Sequence, residues 1–287
     1  MNISVIKEHA MKTHPSARLA VCLLIMILLL PVWAEAENTA MPAWEYPLSP
    51  ETVADRRQYL TLTNKSDLLD SSYEPDDLVD ITSRCAVKGQ LRKDAEAALH
   101  ALFDAAEQDG CYLYVKSSYR SYKTQKTMYY NRLEKVGRDD GYVAYPGSSD
   151  HQTGLGVDVL NREWTKKDGM NADFKNTREA QWMAEHCWEY GFIIRYMEDK
   201  EASTGIRFEP WHLRYVGLDA ALYIRDMHFS LEEFWEDLRS YLAAWENAGG
   251  DLERLLSERA KPNEIRVLGI SEDGEQELCF YYAEEED

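Results

Sequence analysis

The chain has 287 residues, of which 45% are hydrophobic and 11% aromatic, and its formal net charge is −19 at pH 7. This composition supplies a sizeable core and excludes global disorder. The acidic excess argues against a nucleic-acid partner, because phosphate contacts require clustered lysine and arginine side chains.

Residues 1–36 have the pattern of an export signal. Basic residues open the segment, an uncharged apolar run follows over residues 19–30, and Ala34 and Ala36 place small residues at a cleavage position. The run is short for a membrane span, which needs about 20 apolar residues. We therefore predict an exported protein with a cleaved signal peptide; the alternatives are an uncleaved membrane anchor and a buried core helix.

Composition divides the rest of the chain into three parts. Residues 37–58 are rich in Pro, Ala and Glu, which is typical of a linker or a surface arm. Residues 59–235 alternate between helix and strand patterns and are predicted to form the main domain. Residues 236–287 are predicted to form an acidic extension of helix and hairpin.

Hydrophobic periodicity predicts short strands and helices in alternation within the main domain. The predicted strands cover residues 59–63, 112–117, 154–160 and 192–196. The predicted helices cover residues 91–108, 121–136 and 177–190. Because the alternation lacks βαβ regularity, we predict an α+β fold with a small, largely antiparallel sheet and flanking helices.

The C-terminal part begins with a strong helix signal. Ser230 and Glu233 form a capping box, and apolar residues recur on one face of the helix that follows. A second helix is predicted over residues 252–259, and a hairpin over residues 265–270 and 278–282. We predict that the first helix packs on the main domain and that the hairpin supplies no metal ligand.

The cysteines leave two redox states open. Cys22 lies in the predicted signal, and the cysteines after it are Cys85, Cys111, Cys187 and Cys279. An exported chain can form disulfides, and four cysteines allow three pairings, but free buried thiols fit equally well. Their long spacing argues against a cysteine zinc site.

Two short segments carry residues suited to metal-dependent hydrolysis. Residues 149–158 read SDHQTGLGVD, and residues 209–217 read EPWHLRYVG. A catalytic zinc ion takes three nitrogen or oxygen ligands and keeps one position open, and His151, Asp158 and His212 can supply the three. The alternative is that these are ordinary structural residues.

Glu209 lies three residues before His212. On an extended or turning segment its carboxylate can face the open side of the metal while the histidine binds it. A carboxylate in that place suits a general base that takes a proton from water.

These motifs, Ser-x-His-x-x-Gly-x-x-x-Asp and Glu-Pro-Trp-His, resemble the zinc D-alanyl-D-alanine carboxypeptidases of the VanY type. Their superfamily also contains lysostaphin-like peptidases and the Hedgehog signalling domain. The similarity covers roughly residues 59–235 and includes the following segments: LTNK at 62–65, PDDLV at 75–79, SYRS at 118–121, Gln125 and YGFIIRY at 190–196.

The resemblance implies a Hedgehog-like or D-Ala-D-Ala-peptidase-like fold and one zinc ion per chain. His151, Asp158 and His212 would be the zinc ligands. Glu209 would be the general base and later the acid that protonates the leaving amine.

The resemblance also implies roles in substrate binding. Arg120 would stabilise the oxyanion and hold the substrate, because its planar guanidinium is permanently charged. Gln125 and Ser149 resemble positions that hold the substrate terminus, whereas Trp211 is expected to pack beneath the metal.

Three positions depart from the family pattern. Ser118 stands where the family commonly has Gly, Asp150 where it has Glu, and Gly156 where it has Ala. These departures leave the ligands intact and bear on substrate preference more than on activity.

The predicted function is zinc-dependent removal of a C-terminal D-amino acid, D-alanine, from peptidoglycan stem peptides. An L,D-carboxypeptidase or a peptidoglycan endopeptidase of the same fold is the first alternative, and a zinc-containing binding module is the second. The intact Glu209 argues against a binding module, which needs no general base. Membrane contact is expected only through an uncleaved N-terminal anchor.

Overall fold

A computed structural model of the chain describes residues 41–260 and the backbone of residues 265–270 and 276–281. The predicted signal over residues 1–36 lies outside the described residues. Within the described ranges, no helix combines the length and the apolar character that crossing a membrane requires.

The helices and strands alternate along the chain. The helices are α1 (Pro50–Ala54), α2 (Arg56–Tyr59), α3 (Lys93–Gln108), α4 (Tyr122–Val136), α5 (Arg178–His186), α6 (Glu201–Thr204), α7 (Leu218–Met227), α8 (Leu231–Asn247) and α9 (Leu252–Arg259). The strands are β1 (Leu78–Asp80), β2 (Gln90–Arg92), β3 (Leu113–Ser117), β4 (Gly156–Asn161), β5 (Phe192–Ile194), β6 (His212–Tyr215), β7 (Ile265–Ile270) and β8 (Gln276–Tyr281).

A four-stranded antiparallel sheet in the order β3-β4-β6-β5 forms the centre of the fold. Strand β4 is buried on both faces of the sheet along almost its whole length. Two smaller antiparallel pairs, β1-β2 and β7-β8, complete the strands that the structure describes. The α+β prediction with a small antiparallel sheet is therefore confirmed.

Helix α3 packs its apolar face into the main core beside the sheet. Its buried residues are Ala95, Leu99, Leu102, Phe103 and Ala106, which follow the helical period. The helix ends at Gln108, Asp109 caps it, and Gly110 follows with a φ of +74°, a conformation that glycine adopts without strain.

A second core joins the two ends of the described chain. Residues Tyr46, Leu48 and Val53 are buried against apolar residues of α7 and α8. Two indole hydrogen bonds hold the same ends together, one from Trp235 Nε1 to the Leu60 carbonyl at 2.7 Å and one from Trp245 Nε1 to the Pro42 carbonyl at 3.1 Å. The segment predicted as a linker therefore contains α1 and most of α2 and contributes to a core.

Helix α8 begins with the predicted capping box. The Ser230 hydroxyl accepts a hydrogen bond from the Glu233 N–H, and the Glu233 carboxylate accepts one from the Ser230 N–H. The helix packs on the rest of the fold as predicted. The division predicted between residues 235 and 236 falls inside this helix.

The strand predicted over residues 59–63 is wrong. Residues 60–63 form an irregular segment after α2, and side chains take up its carbonyl groups. Arg214 Nη2 donates to the carbonyls of Tyr59 and Thr61, at 3.0 and 2.7 Å. Because buried side-chain donors satisfy this backbone, it needs no neighbouring strand.

The helix predicted over residues 177–190 is also shorter than expected. Helix α5 ends at His186, and a 3₁₀ turn covers Cys187–Tyr190. The cysteines Cys85, Cys111 and Cys187 are free thiols. The side chain of Cys279 lies outside the described residues.

We expect Phe234→Ala to lower the free energy of unfolding by about 3–5 kcal/mol, because it removes a fully buried aromatic ring from the second core. Chemical denaturation of the full chain measures the effect. Leu222→Ala on α7 is the control, since Leu222 is 42% exposed, and its cost should stay below about 1 kcal/mol. Equal costs for the two variants would show that α8 is not docked.

Candidate active site

Three residues of the two motifs converge at one end of β4 and β6. Asp158 and His212 are direct cross-strand partners in the register of these strands. His151 lies on the 3₁₀ turn Asp150–Thr153, which precedes β4. One ligand-type atom from each residue lies within 4.8 Å of the others, and all three residues are buried.

The turn that carries His151 is held on both sides. The ring Nδ1 of His151 donates to the Ser118 carbonyl at 2.8 Å. The backbone N–H of Arg120 donates to the His151 carbonyl at 3.0 Å. Gly154 ends the turn with a φ of +69°, which suits glycine. These contacts fix both the tautomer and the direction of the imidazole ring.

The donor set fits a zinc ion. Because His151 Nδ1 carries the proton, the lone pair of Nε2 points at Asp158 Oδ2, 3.3 Å away. A lone pair facing a carboxylate is repulsive unless a cation lies between them. His212 Nδ1 lies 3.0 Å from Asp158 Oδ1. Ligands of one tetrahedral zinc ion at about 2.0–2.1 Å stand roughly 3.3 Å apart, close to both separations.

The electrostatics keep the donors in their metal-binding forms. Burial lowers the pKa of His151, and the charge of Arg120 lowers it further, so the ring is neutral. Burial alone would raise the pKa of Asp158, but the adjacent histidines hold the pKa of this carboxyl below its usual range. A neutral imidazole and an ionised carboxylate are the forms that bind metal.

Glu209 lies beside the donor set, just before β6. Its carboxylate Oε2 is 3.6 Å from His212 Nδ1, and its side chain is only 12% exposed. Burial and then the negative charge of Asp158 raise the pKa of Glu209 well above its usual value, while Arg120 opposes the shift. A carboxyl group of this kind can both accept and return a proton near neutral pH.

Arg120 follows β3 and lies on the other side of the donor set. Its Nη2 donates to Ser117 Oγ at 2.9 Å and lies 4.0 Å from Asp158 Oδ2. Its Nη1 donates to Gln125 Oε1 at 2.7 Å, and Gln125 Nε2 donates to the Ala144 carbonyl at 2.7 Å. Both polar ends of Gln125 are thus engaged, and this side chain orients Arg120.

All the residues predicted for the site, Ser149 among them, line one solvent-open cleft of about 520 Å³, and Trp211 lines it as well. Trp211 is 2% exposed and belongs to the main core. The wall of the cleft also contains residues that are not among those predicted for the site: Met128, Tyr142, Val143, Met170, Tyr196 and Ile206.

Two of the three departures from the family pattern lie in contact. A Cβ atom placed on Gly156 would lie 2.9 Å from Asp150 Cβ and 3.0 Å from its carbonyl carbon. The turn that carries Asp150 therefore packs directly on the bare backbone of Gly156. The third departure, Ser118, supplies the carbonyl that holds His151.

The sequence model of the VanY family, described as D-alanyl-D-alanine carboxypeptidase, matches residues 88–218. The chain is also 41% identical to the putative carboxypeptidase YodJ of Bacillus subtilis (strain 168) over 196 residues. That alignment covers 66% of this chain and 71% of YodJ.

Two solved structures resemble the described fold. The LdcB LD-carboxypeptidase has a TM-score of 0.57 at 41% identity, over 61% of this chain and 84% of LdcB. The vancomycin-resistance D,D-pentapeptidase VanY, solved as a variant in complex with Zn(II), has a TM-score of 0.51 at 30% identity. That match covers 62% of this chain and 99% of the VanY chain.

The family match spans every residue of the site described above, from Ser117 to His212. The identity to YodJ extends well beyond the motifs that carry the resemblance. The chain therefore belongs to the VanY family of D-alanyl-D-alanine carboxypeptidases.

Proposed function

We propose that this protein is a zinc-dependent carboxypeptidase that removes a C-terminal D-alanine from peptidoglycan stem peptides. The observation that carries the proposal is the convergence of His151, Asp158 and His212 with Glu209 and Arg120 on one cleft. The VanY structure in complex with Zn(II) supports the choice of metal.

Each polar group of the cleft has a task in this reaction. A zinc ion held by the two histidines and Asp158 would act as the Lewis acid that polarises the scissile carbonyl and lowers the pKa of water. Glu209 takes a proton from the attacking water and returns it to the leaving amine of D-alanine. Arg120, oriented by Gln125 and Ser117, stabilises the negative charge that develops on the carbonyl oxygen.

The bond that precedes the D-alanine defines two candidate activities. A D,D-carboxypeptidase cleaves between two D-alanines, and the family model supports this choice. An L,D-carboxypeptidase cleaves after an L-centre of the stem, and the LdcB structure supports it at the higher identity of 41%. Both remove a C-terminal D-alanine, and an endopeptidase that cuts inside the stem is the third option.

Two peptides separate these activities. We expect the zinc-loaded protein to release D-alanine from a pentapeptide ending in D-Ala-D-Ala or from a tetrapeptide ending in L-Lys-D-Ala. A chelator should abolish the release, and added Zn²⁺ should restore it. A folded, zinc-loaded protein that releases no D-alanine from either peptide would overturn the proposal, and cleavage inside the stem would indicate an endopeptidase.

We also propose that the protein acts outside the cytoplasm, where stem peptides of the cell wall lie. The support for this location is the export pattern over residues 1–36.

A further inference from the structure

A buried cluster of four charged side chains connects α8 to the back of the metal-binding residues. Two arginines and two carboxylates form it: Asp150, Arg195, Arg214 and Glu232. The side chains of Asp150, Arg195 and Arg214 are 0% exposed and that of Glu232 is 10% exposed. Such a cluster is costly to bury unless every charge is paired.

Arg195 is the centre of this cluster. Its Nη1 and Nη2 donate to the two carboxylate oxygens of Glu232, at 2.8 and 2.7 Å. Its Nε donates to Asp150 Oδ2 at 2.9 Å. One rigid guanidinium thus holds the carboxylate of α8 and the carboxylate of the His151 turn in a fixed relation.

Asp150 faces Nε2 of His212, the ring nitrogen that does not contact Asp158. Its Oδ2 lies 3.9 Å from His212 Nε2, a buried atom with no hydrogen-bond partner among the described groups. Thr63 and Arg214 donate to the other oxygen, Oδ1. When a zinc ion is bound by His212 Nδ1, the Nε2 of this ring carries the proton and points toward Asp150.

The charges of the cluster balance only when Glu232 is present. With Glu232, two carboxylates match two guanidinium groups. Without it, an uncompensated positive charge would remain buried against Asp150 and draw that carboxylate away from His212. A positive charge there would also oppose the binding of a cation by the histidine.

We propose that Glu232 is a positioning residue for the metal site, acting through Arg195 and Asp150 on His212. The inference rests on the proposed zinc site and goes beyond it, because it assigns a task to a helix that lies after the segment matched by the family model. Helix α8 is thereby part of what sets metal affinity, in addition to its packing in the second core.

The test compares two adjacent glutamates of α8. Glu232→Gln should weaken zinc binding about 10-fold or more, within the range typical of residues that hold a metal ligand from behind. Glu233→Gln is the matched control, because Glu233 bonds to Ser230 and Lys200 outside the cluster, and it should stay within about two-fold of wild type. Competition with a chromogenic chelator measures the dissociation constant for zinc, and the cobalt-substituted absorption spectrum should change only in the Glu232 variant.

A second background tests the route through Arg195. When Arg195→Met is already present, Glu232→Gln should no longer weaken zinc binding, because the connection to Asp150 is gone. Glu232→Asp keeps the charge with a shorter reach and should give an intermediate loss. This milder variant carries the test if Glu232→Gln does not fold.

The inference would be overturned if Glu232→Gln left the zinc affinity unchanged or, where that variant does not fold, if Glu232→Asp did. An equal loss of zinc affinity in Glu233→Gln would also overturn it. The third such outcome is that Glu232→Gln weakens zinc binding equally in the wild-type and Arg195→Met backgrounds. Failure of the proposed function is distinguishable from each of these. In that case the wild-type protein itself would bind no zinc or would release no D-alanine.

Discussion

Replacing Glu209 with alanine should reduce hydrolysis of a D-alanine-terminated peptide by about 10²–10⁴-fold or more, the range of general acid–base catalysis. The carboxylate is not needed to hold the metal if His151, Asp158 and His212 do so. Its raised pKa and its position beside His212 suit it for moving the proton between water and the leaving amine. Kinetics and zinc content measured on the same preparation separate the loss of chemistry from a loss of metal.

Two further variants sharpen this test. Glu209→Gln keeps the shape of the side chain but accepts no proton, so it should be as impaired as the alanine variant. Glu236→Ala, at an exposed position of α8, should retain wild-type rates. Activity within a few-fold of wild type in either Glu209 variant would refute the assigned role, even with the zinc site established.

His212→Ala should abolish stoichiometric zinc binding and, with it, hydrolysis. It removes one of three converging donors, so the loss of affinity should exceed the 10–100-fold range that is typical of residues behind the ligands. Metal analysis after gel filtration measures the zinc content of each chain, and the expected wild-type value is one.

A histidine elsewhere on the surface provides the control. His228 pairs with Asp199, and its side chain is 64% exposed, so His228→Ala should keep full zinc content. Full zinc occupancy in His212→Ala would show that His212 is not a zinc ligand. Loss of zinc in both variants would point to a general effect on the fold instead.

The sequence predicted the elements whose signals are local. The apolar period of α3 and the capping box of α8 each lie within a few turns of one helix, and both elements formed as expected. The two motifs predicted the donor residues for a similar reason, because each motif is short and continuous. The structure brings these residues together, and the experiments above test their roles.

The features that sequence reasoning missed depend on distant contacts. Residues 59–63 alternate like a strand, but arginines of the buried cluster, far along the chain, satisfy their carbonyls. The sequence marks Asp150 only as a departure from the family pattern, because no local pattern reveals that Arg195 and Arg214 surround it. The wall of the cleft comes from irregular segments, which carry no periodic signal.

The pairing of Asp158 with His212 across β4 and β6 has a consequence for how such a protein can diversify. Residues 162–211 connect these two strands and supply Met170, Tyr196, Ile206 and Glu209 to the cleft. Insertions or deletions within residues 162–190 can reshape the pocket around Met170 while the ladder of backbone hydrogen bonds keeps the two donors opposite each other. A one-residue slip inside either strand would instead turn its donor to the other face of the sheet. A change in the length of this loop can therefore alter the shape of the pocket without rebuilding the metal-binding residues.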